Sequence, residues 1–165
     1  MSPLGRRIAR RRSGAYVLRL PSAERALVGR LVDQLRDVLL VGTDDPVTRR
    51  LFPTAYNEDA EKDREYQQLV RDDLLAGRLR ALATVDETIE ADELDEDQLT
   101  GWLTALNDLR LVLGTRLDVD EELAPLEADD PEAPAYAVYE YLGYLLGEAV
   151  DALAGGLPEA TDDSP

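Results

Sequence analysis

Four long segments of this chain carry apolar residues every three or four positions, and this spacing points to packed helices. The first opens at Pro21-Ser22 and runs to about Val41, with Leu27, Leu31, Leu35 and Val38 in line and Val28, Val32 and Leu39 beside them. Gly42 suits its C-terminal cap. Asp45-Pro46 predicts a short helix through Leu51-Phe52, closed by Pro53. Asn57 opens a long helix to about Glu90, with Tyr66, Val70, Leu74 and Ala81 on one side. Gly77 lies in its middle, where close packing would explain a residue that costs about 1 kcal/mol against alanine.

Residues 90–97 read as an acidic, solvated loop that lacks the glycine and terminal glutamate of a calcium loop. Asp95 and Gln98 have the spacing of a capping box for a third long helix to about Leu117. Residues 118–134 read as a loop. Asp130-Pro131 begins the last helix, which ends near Gly155-Gly156. Its apolar residues form two stripes, one through Tyr136, Tyr139, Leu142, Leu146, Val150 and Leu153 and one through Tyr141, Tyr144 and Leu145. Such a helix is central in a bundle or covered by another subunit. Tyr141, Gly143, Tyr144 and Gly147 are the residues expected at that helix or dimer interface. Ala15 to Leu20 reads as a short strand.

The expected fold is mainly all-α, a four- to five-helix bundle with a short N-terminal β-strand. Residues 1–13 are expected to be a basic flexible arm, 14–155 a single helical domain, and 156–165 an acidic flexible tail.

Composition then removes whole classes of chemistry. The 165 residues include no cysteine and no histidine, and one lysine, Lys62. Thiolate catalysis, thiol redox switching and a Ser-His-Asp triad have no residues to use. Zinc loses both of its preferred ligand types, and no cofactor or metal is expected. Asp72-Asp73 with Arg78, and Asp108 beside Arg110, read as surface charges or intrahelical pairs of helices rather than as catalytic groups. The expectation is a protein that is not an enzyme. The basic start is not followed by an apolar signal core, and no apolar run approaches about 18 residues, so a cytoplasmic protein without a membrane span is expected.

Charge is divided unevenly. Residues 1–84 hold sixteen bases and twelve acids, net +4, and residues 85–165 hold two bases and twenty-three acids, net −21, giving −17. Arg6, Arg7, Arg10, Arg11 and Arg12 form a run that either stays solvated or engages nucleic-acid phosphates. The acidic body would repel a duplex, so DNA contact is confined to this arm. A helix-turn-helix reader would need Arg25, Arg30, Arg36, Arg71, Arg78 or Arg80, since the later helices offer almost no base-reading side chains.

The segments Tyr16-Val17-Leu18-Arg19-Leu20, Leu51-Phe52-Pro53-Thr54-Ala55-Tyr56, Asp72-Asp73-Leu74-Leu75-Ala76-Gly77-Arg78-Leu79 and 106–117 (LNDLRLVLGTRL) resemble a small actinobacterial family over nearly the whole chain. Most of its members have no known function, and some are described as an oxidative-stress transcriptional regulator, AosR. The resemblance implies a cytosolic helical protein acting on transcription, with a partner from the transcription apparatus. It also suggests a structural polar network of Asp72, Asp73, Arg78, Asn107, Asp108, Arg110 and Arg116 inside the bundle. The reading is a non-enzymatic regulatory protein acting mainly through protein contacts, including a homodimer. The alternatives are a direct DNA-binding transcription factor using the arm, and a ligand-binding protein of unknown chemistry.

Overall fold

The computed structural model describes residues 5–42, 46–48, 50–52, 60–117 and 130–155, and of residues 60–63 only the backbone. The short helix expected from Asp45 is here a single 3-10 turn over Pro46–Thr48, with Asp45, Pro53 and Asn57 outside the described residues. The four long helices are α1 (Ser22–Val41), α2 (Ala60–Thr88), α3 (Glu96–Arg116) and α4 (Ala133–Ala154). Three short strands, β1 (Ile8–Arg10), β2 (Tyr16–Leu18) and β3 (Glu93–Leu94), form an antiparallel sheet in the order β1-β2-β3. The fold is mainly all-α, with this sheet at its N-terminal end.

The helices form where the periodicity places them, but two faces are rotated from expectation. On α1 the buried line is Arg25, Val28, Val32, Leu35 and Leu39 rather than the neighbouring Leu27, Leu31 and Val38. Both lines are apolar, so spacing alone does not choose between them. On α4 the buried line is Leu142, Leu145, Ala149 and Ala152, and Val150 is exposed. Each fully buried Leu or Val contributes about 1.5–3 kcal/mol.

Helices α2 and α3 pack tightly. A Cβ added at Gly101 would stand 2.8 Å from Thr84 Cγ2, so this glycine lets the two backbones approach. One turn away, the fully buried Trp102 indole donates to Thr88 Oγ1 at 2.7 Å. The capping box that opens α3 forms as expected, Gln98 N–H donating to Asp95 Oδ1 and Asp95 N–H to Gln98 Oε1. Gly77 does not mark close packing, because its nearest such neighbour would be the end of Arg80 at 3.7 Å.

Two loop expectations are overturned. Ile8 is buried in the core, and Ile8, Ala9 and Arg10 pair with Leu18, Val17 and Tyr16. The supposed flexible arm is therefore in part a strand. Its turn closes through Gly14 N–H to the Arg11 carbonyl, and Gly14 has φ +93°, a conformation that favours glycine. Within the acidic stretch 90–97, Leu94 is buried and pairs with Tyr16, so this stretch is the third strand followed by the start of α3. The acidic tail expected at 156–165 lies outside the described residues.

Candidate functional site

Polar groups inside the fold gather at three centres. The first holds the edge strand β1. Glu148 on α4 is buried and accepts the backbone N–H of Arg7 at 2.6 Å and of Ile8 at 3.2 Å. The Arg7 guanidinium donates to both carboxylate oxygens of Glu24 at the start of α1, at 3.1 and 2.9 Å. Burial acts to raise the Glu24 pKa, but the hydrogen bonds and the charge of Arg7 hold it below its ordinary value. Burial and the neighbouring Glu24 carboxylate raise the Tyr141 hydroxyl. A cavity of about 180 Å³ opens here between Arg7, Glu24, Leu27, Tyr141 and Tyr144. An unpaired sheet edge is normally exposed to other strands, and Glu148 blunts this one from within the chain.

The remaining arm arginines divide. Arg11 pairs with Glu93 of β3 at 3.0 Å, and Arg10 donates to the Gly155 carbonyl at 3.2 Å. Arg6 and Arg12 are exposed without a hydrogen bond or ion pair among the described residues.

The second centre is Arg25, considered from sequence as a base-reading residue. It is buried, and its guanidinium donates to the carbonyls of Leu20, Leu18, Ile89 and Ala91 and to Asp92 Oδ1, over 2.7–3.3 Å. One side chain thus joins β2, α1 and the α2–β3 turn. Arg36 is likewise held, by Asp33 and by Asp86 of α2.

The third centre lies on α3. Arg78 of α2 donates to Asp108 at 2.6 Å and to the Leu51 carbonyl at 3.2 Å, with its guanidinium carbon 6.0 Å from the Phe52 ring centre. Asp108 is 1% exposed, and its second oxygen has no partner among the described residues. Burial pushes its pKa up to about 6, outweighing the attraction of Arg78. Arg110, on another face of α3, stacks its guanidinium carbon 4.8 Å from the Tyr139 ring centre. Gly143 makes room for it, since a Cβ there would stand 3.3 Å from Arg110 Nε.

The structure therefore brings together Arg78 with Asp108, and Arg110 with α4, out of the seven residues expected in one network. Asp72 and Asp73 are exposed on α2, where Asp72 accepts from Gln68. Arg116 is exposed at the rim of an apolar groove of about 60 Å³ lined by Leu31, Leu35, Val38, Leu109, Val112 and Leu142. Asn107 is half-buried. Of the expected interface residues, Gly143 faces Arg110 of its own chain, Gly147 has open space beside it, and Tyr141 and Tyr144 face the strand β1 side.

Among the described residues no group of acids could hold a metal ion, and no helix is long and apolar enough to cross a membrane.

The fold and these centres define a small helical domain whose N-terminal sheet is stitched to the bundle by buried arginines and one buried glutamate. The chain belongs to the DUF2017 family, a domain of unknown function, whose model matches residues 5–153. It is also similar to a Mycobacterium leprae (strain TN) protein named "Putative oxidative stress regulator AosR", 33% identical over an alignment of 129 residues that takes in 67% of this chain. The chain spans 59% of the length of that relative. No solved structure matches the chain.

Proposed function

We propose that this chain is a non-enzymatic regulatory protein that acts on transcription in the cytoplasm, mainly through protein contacts. The name of the M. leprae relative supports the regulatory part of this reading. The observation that carries the protein-contact part is that two of the five arm arginines are held in ion pairs within the chain, Arg7 part-buried and Arg11 at the surface. Arg7 is paired with Glu24 and Arg11 with Glu93, so neither is at liberty to neutralise phosphate without breaking an ion pair. A thiol-based response to oxidation is ruled out by the absence of cysteine, so control falls to abundance, a partner or a ligand.

A second reading, direct DNA contact, draws on Arg6, Arg10 and Arg12, which are exposed on one hairpin. Salt dependence separates the two. Five phosphate-bound arginines would give a log–log slope near about −4.5, whereas three give about −2.7. Fluorescence anisotropy of a labelled duplex should show weak binding with a slope no steeper than the smaller value. In a reconstituted transcription reaction the same protein should change transcript yield at concentrations where no duplex is bound. A slope near the larger value, lost on Arg7→Ala and Arg11→Ala substitution, would instead make the hairpin a DNA anchor.

A further inference from the structure

We propose that Arg50 and Arg110, set around the Tyr139 ring, form a binding site for a small oxyanion of the phosphate or carboxylate type. The Arg110 guanidinium is fixed in place by its stack on Tyr139 and by the space at Gly143. Its Nε is buried without a partner. Its two terminal nitrogens make no hydrogen bond among the described residues and are not fully buried. Arg50 follows the 3-10 turn and is exposed. A Cβ at Gly114 would lie 3.7 Å from Arg50 Nη1 and 3.1 Å from Tyr139 Cε2, so Arg50 and the Tyr139 ring both border this glycine.

Neither cation has an acid partner among the described residues. By contrast Arg7, Arg11, Arg25, Arg36 and Arg78 all do. An anion that reached both guanidinium groups would offset their mutual repulsion. Planar forks of this kind suit the paired oxygens of phosphate or carboxylate. The tyrosine supplies the platform that keeps one fork oriented before the ligand arrives, which lowers the ordering cost of binding. The site goes beyond the regulatory reading and stands whether or not that reading holds.

Isothermal titration of the full chain at low ionic strength, with pyrophosphate in one arm and citrate in the other, tests this. Wild type should show saturable one-site binding of at least one anion. Preference for pyrophosphate marks a phosphate ligand, and equal or stronger citrate binding marks a carboxylate. Arg50→Ala, an exposed change that should leave the melting temperature in place, should weaken binding at least about tenfold. Arg110→Lys keeps the charge and loses the fork, and should weaken it similarly. Arg30→Ala, exposed elsewhere on α1, should change nothing. Absence of saturable binding to both anions would overturn the proposal. So would equal affinity in wild type, Arg50→Ala and Arg30→Ala, which would mean an adventitious ion only.

Discussion

Two buried arginine centres in this molecule are built from the same side chain and end in opposite states. Arg25, at the first turn of α1, meets four backbone carbonyls and a carboxylate, and each of its nitrogens has an acceptor. On α3 the accounts stay open: Arg78 Nε, Asp108 Oδ2 and Arg110 Nε are buried without a partner among the described residues. Buried polar groups in folded proteins are nearly always satisfied, and a cluster of exceptions asks for a reason. The contrast separates a centre that closes the fold from one that keeps hydrogen-bonding capacity in reserve. Arg25 ties together segments that would otherwise leave carbonyls of the β2 and α2–β3 region unpaired. At the α3 centre Arg110 lies over the Tyr139 ring with no acid partner among the described residues.

The contrast can be broken most forcibly at Arg25. Arg25→Met keeps an unbranched but shorter side chain and removes every donor, leaving carbonyls of Leu18, Leu20, Ile89 and Ala91 to find new partners. The expected loss is about 3–5 kcal/mol, read from the urea midpoint at constant slope. A loss below about 1 kcal/mol would show that those carbonyls do not depend on Arg25.

Asp108→Asn sharpens the other side through pH. The folded-state pKa of Asp108 is about 6, above its ordinary 3.8. The folded chain therefore holds this proton more tightly than the unfolded chain. The resulting stability is fully present below about pH 4 and is lost as pH rises through about 6. Asparagine does not titrate, so the stability of Asp108→Asn relative to wild type should rise between those limits and level off above them. The total change should be on the order of 3 kcal/mol. A difference that stays flat with pH would mean that Arg78 offsets the burial of Asp108 completely.

Much of the helical frame was legible in the residues themselves. Periodicity located the four long helices, and Asp95 and Gln98 marked the start of α3 because a capping box is a local signal. The strands were harder. Arg10, Arg11 and Arg12 masked the β1–β2 hairpin, although Ser13-Gly14 between two short β-forming runs was a turn signal. Leu94 stands alone in an acidic stretch, and only its pairing with Tyr16 explains its burial. Arg25 looked like a surface arginine because its acceptors are carbonyls, which sequence does not distinguish. The pair Arg78–Asp108 spans thirty residues, and the expectation of a polar network found these residues but added Asp72 and Asp73, which face water. Gly143 was legible as a site of close approach, but what approaches it is an arginine of the same chain.

The contrast between the two arginine centres is tested most directly by the side-chain Nε–Hε resonances of the 15N-labelled full chain, followed as pyrophosphate is added. Arg25 Nε–Hε, donating to the Leu20 carbonyl at 2.7 Å, should exchange slowly with solvent and should not move. Arg110 Nε–Hε should shift progressively and saturate with the anion. An Arg25 resonance that exchanges rapidly, or an Arg110 resonance that ignores pyrophosphate and citrate alike, would contradict the division between a spent arginine and a poised one.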